Sequence, residues 1–232
     1  MSDVTPPTPP QTTAVTLVRT SQAWSQADSA AGFVLRYLAP MRRQLAVLLE
    51  STEQADEGLK MIIAHLVSAG FGDQEHDRLR DFLLRSIRSA ARKRLKEIPE
   101  DKRPEIDFDQ LQSDSKDWLR YWREGLLERA WRALERIEHA TPSRPLYSVL
   151  HCATANPKAT LGMLVIQIAT EAGVQIDETK AEAFLTEARW MFAQLVADEI
   201  SETLEKPESV DVRQEIKTLG LGKAFAGIMA RQ

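Results

Sequence analysis

The sequence has little cysteine, no long apolar run and no targeting segment. Its single cysteine, Cys152, excludes an internal disulfide and suits a reducing compartment. No apolar run reaches the roughly 18 residues of a membrane span, and no signal-peptide hydrophobic region is found. These absences predict a cytoplasmic protein without a membrane segment.

Motifs for catalysis and for metal binding are also lacking. The sequence contains no phosphate-cradling glycine loop, no nucleophile elbow and no carboxylate pair in a context for acid–base work. The histidines have no partner at a usual zinc spacing, and Asp73, Glu75 and Asp77 lack the remaining ligands of a calcium loop. We therefore predict neither an enzyme nor a bound metal or cofactor.

The hydrophobic pattern that is present has the period of a helix. Alternating runs rich in Val and Ile are lacking, which predicts an all-α fold. The Pro-rich residues 1–20 are expected to form a disordered tail. Helix start signals occur at Ser51 or Thr52, at Ser143 and at Asp177. The predicted helices span residues 22–31, 33–49, 53–69, 76–97, 115–139, 144–153, 159–172, 177–205 and 209–219.

One segment interrupts this helical pattern. Residues 98–113 contain two prolines and several acids with weak periodicity, which is typical of a linker. We expect a first helical module over residues 21–97 and a second over residues 114–205. A C-terminal helical extension is expected to follow over residues 206–232.

The strongest local signal is a basic helix at the end of the first module. Residues 78–96, RLRDFLLRSIRSAARKRLK, contain eight Arg or Lys residues and one acid, in a chain of formal net charge −4. Apolar residues recur at helical spacing, so one face packs and the other presents positive charge. Such a stripe is typical of a surface that meets phosphates. The alternative is a solvated face balanced by acidic neighbours.

The second module contains a helix-turn-helix pattern. A short amphipathic helix ends at Ala172 and Gly173, and Asp177 opens a longer helix whose apolar residues face inward. In a helix-turn-helix the second helix enters the major groove of DNA. Acids outnumber bases on this second helix, which opposes approach to phosphates. An αα-hairpin used only for packing is therefore the alternative.

A basic helix, an acidic linker and a helix-turn-helix in this order resemble the extracytoplasmic-function sigma factors of the sigma-70 superfamily. The resemblance is to planctomycete-like lineages with a C-terminal extension, and it covers roughly residues 17–221. The stretches that carry it are FVLRYLAP (33–40), ADEGLKMIIAHL (55–66), RLRDFLLRSIRSAARKRL (78–95), IDFD (106–109), WLRYWREGLLERAWRALERI (118–137), AFLTEARWMFAQLVADEI (183–200) and EISETLEKPESVDVRQEIKTLGL (199–221).

This resemblance implies a transcription initiation factor that binds core RNA polymerase and directs it to promoter DNA. The first module would be a region-2-like helical bundle and the second a region-4-like helix-turn-helix. The residues that the resemblance places on the polymerase are Asp56, Glu57, Lys60 and Met61. Those that it places on DNA are Arg80, Arg85, Arg88, Arg92, Lys93, Thr179, Lys180, Glu182, Ala183 and Thr186. A further implied partner is an anti-sigma or other regulatory protein.

Two other classes of function stay open on the sequence. One is a sigma-like all-α adaptor or regulator that binds a protein partner without reading promoters, which the acidic helix over residues 177–205 favours. The other is a non-specific nucleic-acid binder that uses only the basic stripe in residues 78–96.

Overall fold

The computed structural model describes residues 23–72, 78–223 and 225, and within them the fold is all-α. The only pairing of extended backbone among these residues is an isolated bridge between Arg78 and Leu204. The α-helices are α1 (Ala30–Val34), α2 (Leu38–Leu48), α3 (Thr52–Ala69), α4 (Leu79–Glu97), α5 (Lys116–Ala140), α6 (Leu146–Ala155), α7 (Leu161–Ala172), α8 (Glu178–Glu202) and α9 (Ser209–Thr218).

The helices from α3 onward lie close to their predicted positions, but the prediction over residues 22–31 was wrong. A short 3-10 helix, Trp24–Gln26, is followed by extended backbone at Ala27. A new helix then begins at Ala30, because the Ser29 side chain accepts a hydrogen bond from the Gly32 amide at 3.0 Å and caps it. A second 3-10 turn, Leu35–Tyr37, divides the predicted helix over 33–49. Residues 1–22 and 73–77, including the predicted tail and the Asp73–Asp77 acids, lie outside the described residues.

Two of the predicted helix starts are confirmed and one is corrected. The Ser51 side chain accepts from the Gln54 amide at 3.2 Å, and Asp177 accepts from the Lys180 amide at 2.7 Å. Ser143 is not a cap, because α6 begins at Leu146. The N-terminus of α6 is instead capped by Glu138 of α5, which accepts hydrogen bonds from the Ser148 amide and hydroxyl at 2.9 and 2.6 Å.

Two clusters of buried apolar residues hold the helices together. The larger cluster, the first core, joins α1 to α4 with the first half of α5, the second half of α8, and α9. The smaller cluster, the second core, joins the second half of α5 to α6, α7 and the first half of α8. Trp118 and Trp122 lie in the first core at 0 and 1 % exposure. Trp131 is half-buried beside the second core.

Helices α5 and α8 belong to both cores. Each is 25 residues long and therefore spans about 37 Å. The stretch of α8 from Ala193 to Ile200 packs in the first core, whereas the first half of the same helix packs in the second core. The helix predicted over residues 209–219 is present as α9, which packs against α8 and buries Val212 and Ile216 in the first core.

The predicted linker has no α-helix and lies on the first core. Within residues 98–113 there is one 3-10 turn, Glu100–Lys102. Leu111 is buried, and Ile106 and Phe108 pack against the first core. The apolar residues of this segment therefore hold it against the helices, while its acids face outward.

Candidate nucleic-acid interface

Helix α4 separates apolar and basic residues onto two faces. Its inner face buries Leu83, Ile87 and Ala91 in the first core, at three- and four-residue steps. The outer face carries a row of cations, which we call the basic stripe. The stripe consists of Arg85, Arg88, Arg92, Lys93 and Lys96. Arg88 is half-buried and the other four are exposed. From Arg85 to Lys96 the stripe extends over about 17 Å.

The cations of the basic stripe have no acidic partners among the described residues. In the part of the chain that the structure describes, no carboxylate forms an ion pair with any of them, whereas Arg78 and Arg94 of the same helix are paired. The alternative of a face balanced by acidic neighbours therefore finds no support from ion pairs. An exposed, unpaired row of like charges attracts counter-ions, and phosphates in particular.

Arg80 is a correction to the predicted set of phosphate contacts. It is 2 % exposed, and its guanidinium binds both carboxylate oxygens of Glu215 on α9, at 2.6 and 3.2 Å. It also donates to the carbonyl of Ser113. Arg80 precedes Leu84 by one helical turn and Ile87 by two, so its position on the apolar face could have been read from the period. Its guanidinium is paired with Glu215 inside the protein and cannot contact DNA.

Phe108 of the linker contacts the basic stripe and was not predicted as a site residue. The guanidinium carbon of Arg92 lies 4.7 Å from the centre of the Phe108 ring, which is a cation–π contact. Phe108 is the only aromatic residue in 98–113. A single aromatic residue among acids was the feature of the sequence that could have marked it as a contact residue. The contact orients Arg92 and places an aromatic ring beside the cations, where an unstacked base would find both kinds of contact.

The two predicted helices of the second module are present as α7 and α8, with a turn between them. Helix α7 ends at Gly173, whose φ of 67° is the left-handed conformation that favours glycine, and Asp177 caps α8. The predicted DNA contacts of this unit all lie on the exposed face of α8. They are Thr179, Lys180, Glu182, Ala183 and Thr186. Lys180 lies 3.9 Å from the Asp177 carboxylate, so the single cation of this set is itself partly neutralised.

The residues predicted to meet the polymerase lie on α3, with their charges paired inside the chain. Asp56 binds Arg42 of α2 through both carboxylate oxygens, at 2.6 and 2.9 Å, and this pairing lowers the pKa of Asp56. Glu57 and Lys60 form an ion pair at 2.7 Å, which lowers the pKa of Glu57. Met61 is half-buried on the same helix. Both ion pairs are exposed, so a partner can exchange them at little cost.

Neither a cluster of metal-ligating side chains nor a membrane-spanning helix occurs among the described residues. Among them no group of three or more His, Cys, Asp or Glu side chains is placed to hold a metal ion. No helix in the same part of the chain combines the length and the apolar character needed to cross a membrane.

Comparisons with known proteins return no relative for this chain. No protein-family model matches it, and neither does any curated protein or solved structure. The resemblance to sigma factors therefore stays a prediction that rests on the order of the stretches quoted above.

Proposed function

We propose that this chain is a transcription initiation factor of the extracytoplasmic-function sigma type, which binds core RNA polymerase and directs it to promoter DNA. The observation that carries the proposal is the basic stripe of α4, with its exposed and unpaired cations. The stripe is long enough to follow several phosphates of a single strand, and Phe108 orients Arg92 within it through the cation–π contact.

The DNA-binding residues of this proposal fall into two groups of unequal expected strength. Arg85, Arg88, Arg92 and Lys93 form the main contact in this proposal, because no carboxylate among the described residues pairs with them. The exposed face of α8 contributes a weaker contact, since Glu178 and Glu182 stand beside Lys180. Promoter selection by α8 then depends on the polymerase, which holds it near DNA and raises the effective concentration.

Helix α3 supplies the polymerase contact in this proposal. Asp56, Glu57 and Lys60 present an exposed mixture of charges, and the half-buried Met61 adds apolar surface beside them. Charges of this kind give an interface its orientation and association rate more than its affinity. Core polymerase would displace Arg42 from Asp56 and offer its own basic group in exchange.

A second candidate function is an all-α adaptor or regulator that binds a protein partner without reading promoters. The acidic exposed surface at the start of α8 favours it, since Asp177, Glu178 and Glu182 are all exposed there. A helix that enters the major groove usually carries positive charge toward the phosphates. This second candidate retains the polymerase as partner but assigns α8 to protein binding.

The decisive experiment combines the full chain with core RNA polymerase of its own host. We expect the chain to co-purify with the core enzyme and to direct transcript initiation from a selected set of promoters. Asp56→Lys with Glu57→Lys should abolish co-purification, while Lys206→Glu, an exposed cation with no partner in the described structure, should not. Co-purification without any directed start would support the adaptor, and failure of both would refute the proposal.

A further inference from the structure

An open groove runs along α5 where the two cores meet. Its volume is about 480 Å³, which lies within the range of roughly 300–1,000 Å³ that ligand sites occupy. The floor is one face of α5, with Glu124, Leu127, Glu128, Trp131 and Glu135 at three- and four-residue steps. Arg43 of α2 lies at one end and Tyr147 of α6 at the other. None of these residues takes part in the function proposed above.

Two aromatic rings at the α6 end of the groove, Trp131 and Tyr147, are packed against other rings of the protein. Trp131 packs on Phe192 with ring centres 4.6 Å apart and meets Tyr147 edge to face at 5.8 Å. Tyr147 is in turn stacked on His151, with ring centres 5.5 Å apart and planes 13° from parallel. These contacts fix the rings, so a side chain that binds them loses little by ordering them.

The carboxylate of Glu135 lies beside these rings without a cation of its own. Glu124 is paired with Arg43 at 2.6 Å, and Glu128 with Arg132 at 2.5 Å. No Arg or Lys in the described part of the chain pairs with Glu135. Partial burial, together with Glu135 and Glu138, raises the pKa of Tyr147, which locates negative potential at this end of the groove.

We infer that this groove binds a basic segment of a partner protein, taking an arginine side chain against Trp131, Tyr147 and the Glu135 carboxylate. A guanidinium stacks on aromatic faces and binds a carboxylate through two donors, which no other side chain does. From Glu124 to Glu135 the groove follows α5 for about 16 Å, the length of about five extended residues. The lining carries three glutamates against two arginines, Arg43 and Arg132, and this excess of negative charge disfavours a nucleic acid.

The inference is tested with arginine itself as the probe. N-acetyl-arginine methylamide is titrated into the full-length ¹⁵N-labelled chain, with the uncharged citrulline analogue as the matched control. We expect saturable shifts of the Trp131 indole signal and of the amides of 124–135, with citrulline at least roughly fivefold weaker, because only the charged donor forms the ion pair. The basic stripe of α4 lies elsewhere, so its failure to bind DNA would not affect this result.

Two variants decide whether Glu135 carries the selectivity. Glu135→Gln should weaken arginine binding by roughly five- to tenfold. Glu105→Gln, which removes an exposed acid from the 98–113 segment outside the groove, should leave binding unchanged. The inference is overturned if citrulline binds as well as arginine, if Glu135→Gln has no effect, or if the shifts are spread over other acidic surfaces. Stronger groove shifts with a thymidine hexanucleotide than with arginine would also overturn it.

Discussion

Helices α4 and α8 are built alike and carry opposite charge. Each buries one face and exposes the other, but the exposed face of α4 carries unpaired cations and that of α8 begins with acids. Their anchoring near the helix start also differs, because Arg80 and Glu215 hold α4 by a buried pair whereas Arg144 and Glu187 hold the first half of α8 by a more exposed one. The second half of α8 is held by the partly buried pair of Arg129 and Glu199. Helical shape alone therefore does not assign a nucleic-acid surface; the sign and the pairing of the outward charges do.

The largest expected effect tests the difference in anchoring. Glu215→Ala leaves the Arg80 guanidinium buried without its partner and should lower the free energy of unfolding by about 3–5 kcal/mol. Glu187→Ala breaks an exposed pair and should lower it by about 1 kcal/mol or less. Urea denaturation followed by circular dichroism measures both. The combined replacement of Arg80→Met with Glu215→Leu should recover most of the loss, and equal effects of the two single variants would contradict the comparison.

A second prediction tests whether the smaller, second core keeps reagents in the solvent away from its buried residues. Cys152 is fully buried, and its sulfur lies 3.4 Å from a Glu171 oxygen. Burial is the largest cause, and the Glu171 carboxylate the next, of a rise in the pKa of the Cys152 thiol from 9.0 to about 11. The thiolate fraction near pH 8 should fall by about a hundredfold, and iodoacetamide labelling should be at least that much slower in the folded chain than in urea.

The same group predicts how stability depends on pH. Because the pKa is raised in the folded chain, the neutral thiol favours folding, and its contribution is complete below pH 9. It should be lost as the pH rises from 9 toward 11. Rapid labelling of Cys152 under native conditions would show instead that the second core opens readily.

A third prediction concerns the charge of the basic stripe. Arg85→Glu with Arg88→Glu should weaken binding to single-stranded DNA roughly tenfold at low salt, and should reduce the salt slope by about 1.4, or about 0.7 for each lost contact. Fluorescence anisotropy at several salt concentrations measures both. Lys206→Glu with Lys217→Glu reverses the same number of exposed charges and is the control. Equal losses in the two double variants would mean that only net charge matters.

The smallest expected effect is on α8. Glu178→Gln with Glu182→Gln removes two exposed acids and should strengthen duplex binding by roughly two- to threefold, whereas Lys180→Gln should weaken it slightly. Titration of the full chain against a random duplex measures these changes. Glu124→Gln, on α5, provides the control for an acid outside α8. A tight, sequence-selective complex with α8 unaltered would reverse our ranking of the two helices.

Local pattern predicted most of the helices but not the contacts between distant parts of the chain. Ser51 and Asp177 cap helices through residues three positions away, so both could be found in the sequence. Glu138 caps a helix ten positions further along, which no local rule indicates. The resemblance to sigma factors placed Arg80 on DNA, although the apolar period of α4 places its side chain inward.

The pairing of charges could be predicted least of all. The sequence shows cations in α4 but does not show that Glu97 and Gln54 engage Arg94 while the basic stripe is left unpaired. The contact between Arg92 and Phe108 likewise depends on how residues 98–113 fold back onto α4. The same holds for the second half of α8, whose apolar residues do not reveal which core they join.

The shared helices α5 and α8 restrict how the length of this chain can change in evolution. One residue advances an α-helix by about 1.5 Å and about 100°, so an insertion in the middle of α5 would turn the second core against the first. Helix α8 spans the same two cores and would need a matching change at the same time. Insertions and deletions in related sequences should therefore fall in the connections at 141–145 and 156–160, and the lengths of α5 and α8 should stay constant.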